Sequence, residues 1–129
     1  MAGLEIGLRG HTTLQASQKY TAEAWGSGDV PVFGTPSLVA LLETAAVNAV
    51  AGQLGPGETT VGTWLEVSHL AATPVGMEVR AEAELIAIEG RKLTFTAVAH
   101  DTREKIGECR HQRIIVSRDR FLAKALAKQ

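Results

Sequence analysis

Apolar residues follow two different periods along the chain. Residues 35–52, TPSLVALLETAAVNAVAG, are apolar on almost every side of a helix, whereas the residues after 60 alternate between apolar and polar, as strands do. Thr35 as N-cap and Pro36 at the first helical position predict where the helix begins, and Gly52 predicts its end. The chain therefore changes from one long helix to strands near the GPG at residues 55–57.

The alternation predicts four long strands joined by turns. Their segments are TVGTWLEVSHLAAT, MEVRAEAELIAIE, KLTFTAVAH and KIGECRHQRIIVS, with a tight hairpin turn at Glu89-Gly90 and another turn at residues 101–104. In the first segment alternate residues share one face, namely Val61, Thr63, Leu65, Val67 and His69. We interpret the four strands as a meander. A short strand near LRGHTTLQA and a C-terminal helix in RDRFLAKALAK complete the prediction.

A helix this apolar must be covered on most of its sides. A curved antiparallel sheet wrapped around the helix achieves this with few elements, so the pattern predicts an α+β fold. The 129 residues fit a single domain spanning residues 1–129. A chain of this length buries a core of modest size, which makes self-association an expectation.

Composition excludes several classes of protein. A net charge of −1 with 21% charged residues argues against a nucleic-acid-binding protein, which usually has a basic face. The single cysteine, Cys109, excludes an internal disulfide, and no cysteine–histidine zinc motif is present. The N-terminal segment lacks the apolar core of a signal peptide, and no apolar run approaches the roughly 20 residues of a membrane span. We therefore expect a cytoplasmic protein that needs no metal or redox cofactor.

Glu43 is a carboxylate in the middle of the apolar helix. Its neighbours three and four residues away are Val39, Ala40, Ala46 and Val47, and none of them can pair with it. An ionised carboxylate buried without a partner is strongly penalised. Either Glu43 lies on a solvent-facing strip of the helix, or it lines a cleft as a nucleophile or general base.

Two further residues are candidates for the same site. His69 has the inward parity of its strand; it is either a core residue or a proton-transfer group facing the helix. Thr35 is either a simple helix cap or part of a site at the helix start, where backbone N–H groups favour negative charge. About 12 Å of helix separates Thr35 from Glu43, so the two cannot hydrogen-bond directly.

The remaining polar residues carry weaker signals. Gly62 interrupts a strand, which predicts either a bulge or a close approach of ligand to the backbone. The pair Arg91-Lys92 follows the hairpin turn and is either solvated charge or a phosphate contact. His11, His100 and His111 have no evident constellation, and we expect them to be surface or structural residues. No P-loop, nucleophile elbow or dinucleotide fingerprint is present.

Three segments together resemble a known family. They are VFGTPSLVALLETAA, VGTWLEVSHLAATPVGMEV and IEGRKLTF, and they resemble the fluoroacetyl-CoA thioesterase-like branch of hotdog-fold thioesterases over roughly residues 30–118. The resemblance implies a hotdog fold, in which a five-stranded antiparallel sheet in the order 1-3-5-4-2 wraps around one long central helix. It also implies a homodimer with active sites at the subunit interface.

The resemblance further implies an acyl-CoA thioesterase. In that interpretation Thr35, Glu43 and His69 are catalytic, with Glu43 as base or nucleophile and His69 as proton-transfer partner. The backbone of Gly62 binds the thioester carbonyl, and Phe33 and Arg91 also contact substrate. The expected ligand is a small-molecule acyl-CoA, with neither nucleic acid nor membrane as a partner.

The loop before the helix, GSGDVPVFGT, departs from the family pattern. The position that matches the aromatic lid of the fluoroacetyl-specific enzyme is Asp29, so we expect weak discrimination among small acyl groups. Two alternatives to a thioesterase are a hotdog dehydratase or hydratase, whose usual His/Asp motif is missing, and a non-catalytic acyl-CoA-binding hotdog module.

Overall fold

The computed structural model describes residues 3–129 and places a long helix against one antiparallel sheet. The strands are β1 (Arg9–Gln15), β2 (Glu58–His69), β3 (Glu78–Glu89), β4 (Lys92–Asp101) and β5 (Lys105–Ser117). The helices are α1 (Ala22–Trp25), which follows a 3₁₀ turn at Gln18–Tyr20, α2 (Thr35–Ala49) and α3 (Arg118–Leu126). The predicted α+β class, the long helix, the five-stranded antiparallel sheet and the C-terminal helix are confirmed.

The order of the strands differs from both predictions made for it. The sheet runs β1-β3-β4-β5-β2, so neither the order 1-3-5-4-2 nor a four-strand meander is correct. Short turns keep β3, β4 and β5 next to one another, as a meander requires. β2 is separated from β3 by the connection 70–77 and pairs instead with β5, at the far edge of the sheet.

Helix α2 begins one residue earlier than a Thr35 cap requires. Gly34 is the N-cap, Thr35 is the first helical residue, and the first turn has no side-chain cap. Pro36 is tolerated there because the N–H groups of a first turn have no partner within the helix. The predicted capping role of Thr35 is therefore wrong, and its hydroxyl is free to make another bond.

One side of α2 faces the sheet, and the core lies between them. Leu38, Leu42 and Ala45 are fully buried there, against strand residues such as Leu85 and Phe95. β1 approaches the helix closely at Gly10, where an added Cβ would lie 2.2 Å from the backbone nitrogen of Ala49.

The opposite side of α2 is open. Ala40 and Val47 are exposed, with Val47 at 41%, and Val39 is half-buried. The apolar helix is therefore covered by the chain's own sheet on one side only. Within residues 3–129, no helix combines the length and apolar character needed to cross a membrane.

A bulge divides β2 into two halves of opposite parity. Gly62 pairs with Arg113, but Trp64 pairs with Gln112, so Thr63 is the extra residue. Before the bulge Thr60 and Gly62 face the helix, and after it Leu65 and the residues of its parity do so. The expectation that Val61 and Thr63 share the inward face is wrong for this reason. A second bulge in β3, between Leu85 and Ala87, ends the predicted alternation there.

Candidate active site

The partner of Glu43 comes from strand β5. Nη1 of Arg113 donates to Oε2 of Glu43 at 3.1 Å, across 70 positions of sequence. Arg113 is buried, at 7% exposure, whereas the side chain of Glu43 keeps 38% of its exposure. The carboxylate is thus anchored on its buried side and open on the other. The absence of a cation near Glu43 is true only of its own helix.

Arg113 is fixed by three more hydrogen bonds. Nε donates to Thr60 Oγ1 at 2.9 Å, Nη2 donates to the Thr60 carbonyl at 3.1 Å, and Nη1 lies 3.0 Å from His111 Nε2. With the bond to Glu43, four of about five guanidinium donors are used. Burial lowers the pKa of Arg113, and the carboxylate of Glu43 opposes that effect. The network sets the position of Glu43 through a buried, nearly saturated cation.

His111 is the third member of this network. Its Nδ1 lies 2.8 Å from the carbonyl of Trp64, so Nδ1 carries the proton and donates it. Nε2 then accepts from Arg113, and its 3.6 Å separation from Glu43 Oε2 is too long for a hydrogen bond. Burial, and secondly the charge of Arg113, lowers the pKa of His111 and keeps the ring neutral.

Gly62 brings the backbone of β2 against this carboxylate. A Cβ at Gly62 would lie 2.6 Å from Glu43 Oε2, 3.2 Å from His111 Cε1 and 3.3 Å from Arg113 Nη1. Gly62 has no positive φ angle, so the need for glycine here is a need for space. Of the two readings of Gly62, the bulge is confirmed, and the bulge lies against the candidate carboxylate.

His69 and Thr35 form a separate pair. Thr35 Oγ1 and His69 Nδ1 are 2.8 Å apart, which joins the end of β2 to the start of α2. Nε2 of His69 is buried and has no hydrogen-bond partner within the described residues 3–129. Burial lowers the pKa of His69, while the backbone of Ala71 acts in the opposite direction. A neutral imidazole therefore holds one nitrogen on Thr35 and leaves the other unsatisfied.

The predicted site residues fall into two groups. In the part of the chain that the structure describes, no hydrogen bond or ion pair connects the Thr35–His69 pair to the Glu43–Arg113 pair. Phe33 lies in the core, at 1% exposure. Arg91 is at the surface, where Nη2 pairs with Glu58 Oε2 at 2.6 Å and Nε donates to the Ile115 carbonyl at 3.0 Å.

Arg113, His111 and Thr60 were missed by the sequence analysis. The expectation that His111 has no constellation is wrong, whereas His11 and His100 are exposed as predicted. The signal was present in KIGECRHQRIIVS, because His111 and Arg113 share the inward parity of Cys109 and Ile115. Two polar residues on an otherwise buried face predict a buried partner, and the unpaired Glu43 was that partner.

The site offers no evident metal ligands. Among residues 3–129, no group of three or more histidine, cysteine, aspartate or glutamate side chains is placed to hold a metal ion. The free thiol of Cys109 is buried, and that burial raises its pKa to about 11. What the arrangement provides is an anchored carboxylate, a neutral histidine with a free nitrogen, and an interrupted strand backbone.

Solved structures with this architecture are thioesterases. A crystal structure of the fluoroacetyl-CoA-specific thioesterase FlK superposes with a TM-score of 0.91 at 34% identity, covering 100% of both chains. A hypothetical protein of Thermus thermophilus, described as a thioesterase superfamily member, gives 0.89 at 25% identity over 99% of this chain and 96% of its own. The fold and the site together define a hotdog-fold thioester hydrolase.

Sequence comparison identifies the family within that class. The model of the FlK family, fluoroacetyl-CoA-specific thioesterase, matches residues 16–119. The fluoroacetyl-CoA thioesterase of Streptantibioticus cattleyicolor is 43% identical over 97 residues, which cover 75% of this chain and 70% of the relative. The chain belongs to the fluoroacetyl-CoA-specific thioesterase family.

Proposed function

We propose that this protein hydrolyses acyl-CoA thioesters to a free acid and CoA, with Glu43 as the reacting carboxylate. The observation that carries the proposal is the one-sided anchoring of Glu43. Arg113 binds Oε2 from the buried side, and the remaining edge of the carboxylate is accessible. A carboxylate with this anchoring either takes a proton from water or attacks a carbonyl carbon itself.

The two chemical routes differ in what Glu43 forms. As a general base, it accepts a proton from water while the water oxygen attacks the thioester carbon. As a nucleophile, it forms a transient anhydride that water then opens, and CoA leaves as the thiol. In both routes the N–H of Gly62 stabilises the oxyanion, and Thr35 supports the site near the helix start. The position of Gly62 at a bulge supports this role, because a bulge leaves backbone groups unpaired.

His69 acts as the proton-transfer partner in this mechanism. Its lowered pKa keeps the ring neutral near pH 7, as an imidazole that must accept a proton requires. Its free Nε2 needs a partner that the chain itself does not supply within residues 3–129. Substrate, or Glu43 of a second copy, would meet that need.

A homodimer with shared sites follows from two open surfaces. The outer stripe of α2, which includes Val47, exposes apolar side chains next to Glu43, and β2 is an unpaired edge strand of 12 residues. Both features invite association with another copy. Sedimentation that shows only monomer at micromolar concentration would contradict the proposal.

Complementation tests whether the sites are shared between subunits. Glu43→Gln and His69→Ala chains are each inactive alone in this mechanism. If each site takes Glu43 from one chain and His69 from the other, a mixed dimer regains one intact site. Random exchange then restores about a quarter of wild-type activity, since about half of the dimers are mixed. No recovery after verified exchange would place both residues of a site in one chain.

Selectivity among acyl groups is expected to be weak. Asp29 is exposed in the loop before α2, where the fluoroacetyl-specific enzyme has its aromatic lid. A methylene-sized difference contributes about 1–3 kcal/mol even in a good pocket. Acetyl-, propionyl- and fluoroacetyl-CoA should therefore react within a modest range of one another, or a larger acyl group should be preferred. Strong preference for fluoroacetyl-CoA in competition would contradict this assignment of the loop.

Glu43→Gln tests the central assignment. The variant should fold, because the amide is nearly isosteric, and its kcat should fall by about 10² to 10⁴ if Glu43 is the base. Glu66→Gln, on the outer face of the sheet, is the matched control and should retain wild-type turnover. Near-normal turnover in a folded Glu43→Gln variant would return Glu43 to a solvent-facing role.

The substrate panel separates the alternatives. CoA binding without thiol release would indicate a non-catalytic acyl-CoA-binding module, and hydration of an enoyl-CoA would indicate a hydratase. Contacts of Phe33 with the acyl group and of Arg91 with phosphate belong to the same proposal, as does a cytoplasmic location. Imaging of a tagged protein in cells checks the location.

A further inference from the structure

A groove of about 440 Å³ lies where strand β5 passes into helix α3. Its lining includes the three basic side chains of Arg91, Arg120 and Lys124, and the ring of Phe121. The amide of Arg118 donates to the carbonyl of Gly57 at 3.0 Å, which fixes the start of α3 against the entry to β2. The groove is therefore built from anchored elements.

The cations of the groove are not equally occupied. Arg91 is held by Glu58 and by the Ile115 carbonyl, and the Arg91 guanidinium is the main reason that the pKa of Glu58 is lowered. Arg120 and Lys124 lie four residues apart, on one face of α3. No acidic side chain within residues 3–129 pairs with either of them. Two cations on one face of a short helix are thus available for an anion.

Phe121 adds an apolar plane to this cationic face. It is 47% exposed although it is a large hydrophobic residue, and it lines the same groove. An exposed aromatic ring between basic side chains suits a ligand with both a flat base and phosphates, because bases stack on aromatic rings while phosphates pair with cations.

The groove begins close to the anchored carboxylate. Ile115 lines it and lies two residues along β5 from Arg113, a distance of about 7 Å in a strand. From there the groove leads along α3, away from Glu43. A ligand that occupies the groove could reach the carboxylate with an extended arm.

We propose that this groove binds the 3′-phospho-ADP part of CoA, with Arg120 and Lys124 on the phosphates and Phe121 against the adenine. This inference rests on the proposed function, and it defines the thiol carrier as CoA itself. A thioester of pantetheine alone lacks the nucleotide and gains nothing from the groove. The groove thereby makes the enzyme selective for CoA thioesters.

Calorimetric titration with CoA tests the groove without any catalysis. The double variant Arg120→Ala/Lys124→Ala should bind CoA about tenfold more weakly, as expected for the loss of charge-assisted hydrogen bonds. Dephospho-CoA should lose less affinity than CoA in the same variant, and added salt should narrow the difference. Phe121→Ala tests the stacking contact. Arg103→Ala, in the exposed turn after β4, is the charge-matched control and should bind as wild type does.

Kinetics then separates this inference from the proposed function. The double variant should raise KM for acetyl-CoA about tenfold with kcat unchanged, and should leave KM for S-acetyl-pantetheine unchanged. Wild-type CoA affinity in the folded double variant would overturn the proposal, even if Glu43 proves catalytic. An increase in KM for an acyl carrier protein but not for acetyl-CoA would also overturn it, since it would assign the groove to a protein partner. Loss of turnover in Glu43→Gln bears only on the catalytic assignment, because CoA titration does not depend on it.

Discussion

A single methyl group at Gly62 should inactivate the site without unfolding the protein. Gly62→Ala places a Cβ 2.6 Å from Glu43 Oε2, where ordinary contact begins near 3.4 Å. The carboxylate must therefore retreat by about 0.8 Å. Its anchor cannot follow, because Arg113 is tied to Thr60 and His111 and lies 3.3 Å from the new methyl group.

The cost should appear in catalysis far more than in stability. Misplacing a reacting group by about 1 Å costs about 100-fold in rate, so kcat should fall by about that factor. The atom that moves is the end of a flexible side chain, so the fold need not shift. Alanine also contributes about 0.4–1 kcal/mol by restricting the unfolded chain, which offsets the weakened ion pair. The change in Tm should therefore stay within about 4 °C.

Release of CoA can be followed continuously with a thiol reagent. The enzyme's own Cys109 should not interfere, because it is buried and its pKa is raised to about 11. Gly28→Ala is the matched control: it also adds one methyl group in place of a glycine without positive φ, and its nearest contact is ordinary, 3.6 Å from Ala22 Cβ. The control should keep wild-type turnover.

Two results would refute this reasoning. Wild-type kcat in a folded Gly62→Ala variant would show that the position of Glu43 next to this backbone does not matter to the reaction. Loss of the fold would show that the backbone of β2, and not the end of Glu43, yields to the methyl group. Thermal unfolding measured beside the kinetics distinguishes the two.

Three further predictions concern stability. Gly10→Ala should cost at least about 3 kcal/mol in urea unfolding, because its Cβ meets the backbone of α2 at 2.2 Å; a wild-type midpoint would contradict the close packing of β1. Arg113→Lys keeps the charge but loses the planar fork, and should cost about 1–3 kcal/mol; an equally stable variant would refute the four-bond description of Arg113. Burial lowers the pKa of both His69 and His111 below the ordinary 6.5, so the unfolded chain binds protons that the folded chain refuses. Stability should therefore fall as pH drops below about 6.5, less steeply in His111→Asn, and a flat urea midpoint from about pH 7.5 to about pH 5.5 would contradict this.

Local signals in the sequence predicted most of the elements. Pro36 and Gly52 bracket the long helix, and Leu93, Phe95 and their alternate neighbours mark the buried face of β4. These features depend on residues within a turn or two, so a pattern reveals them. The pairing of β2 with β5 does not, because it joins segments with two other strands between them in sequence.

The site was half predicted for the same reason. Glu43 and His69 stand out against apolar neighbours, whereas the partner of Glu43 lies 70 positions away. Only a comparison of inward parities between α2 and β5 could have joined Arg113 to it. The bulge at Thr63 added a second difficulty, since it reverses parity in the strand that carries both Gly62 and His69.

That bulge makes the length of β2 a determinant of the site, independently of its chemistry. Gly62 lies before Thr63 and His69 after it, and both face α2 only because one extra residue separates the two halves of the strand. Deletion of the Thr63 codon would leave every proposed catalytic residue in the gene and yet turn either Gly62 or His69 away from the helix. Descent within this family should therefore tolerate substitution at Thr63 far better than loss or gain of a residue there, and an alignment that introduces a gap at this point marks a protein with a different site.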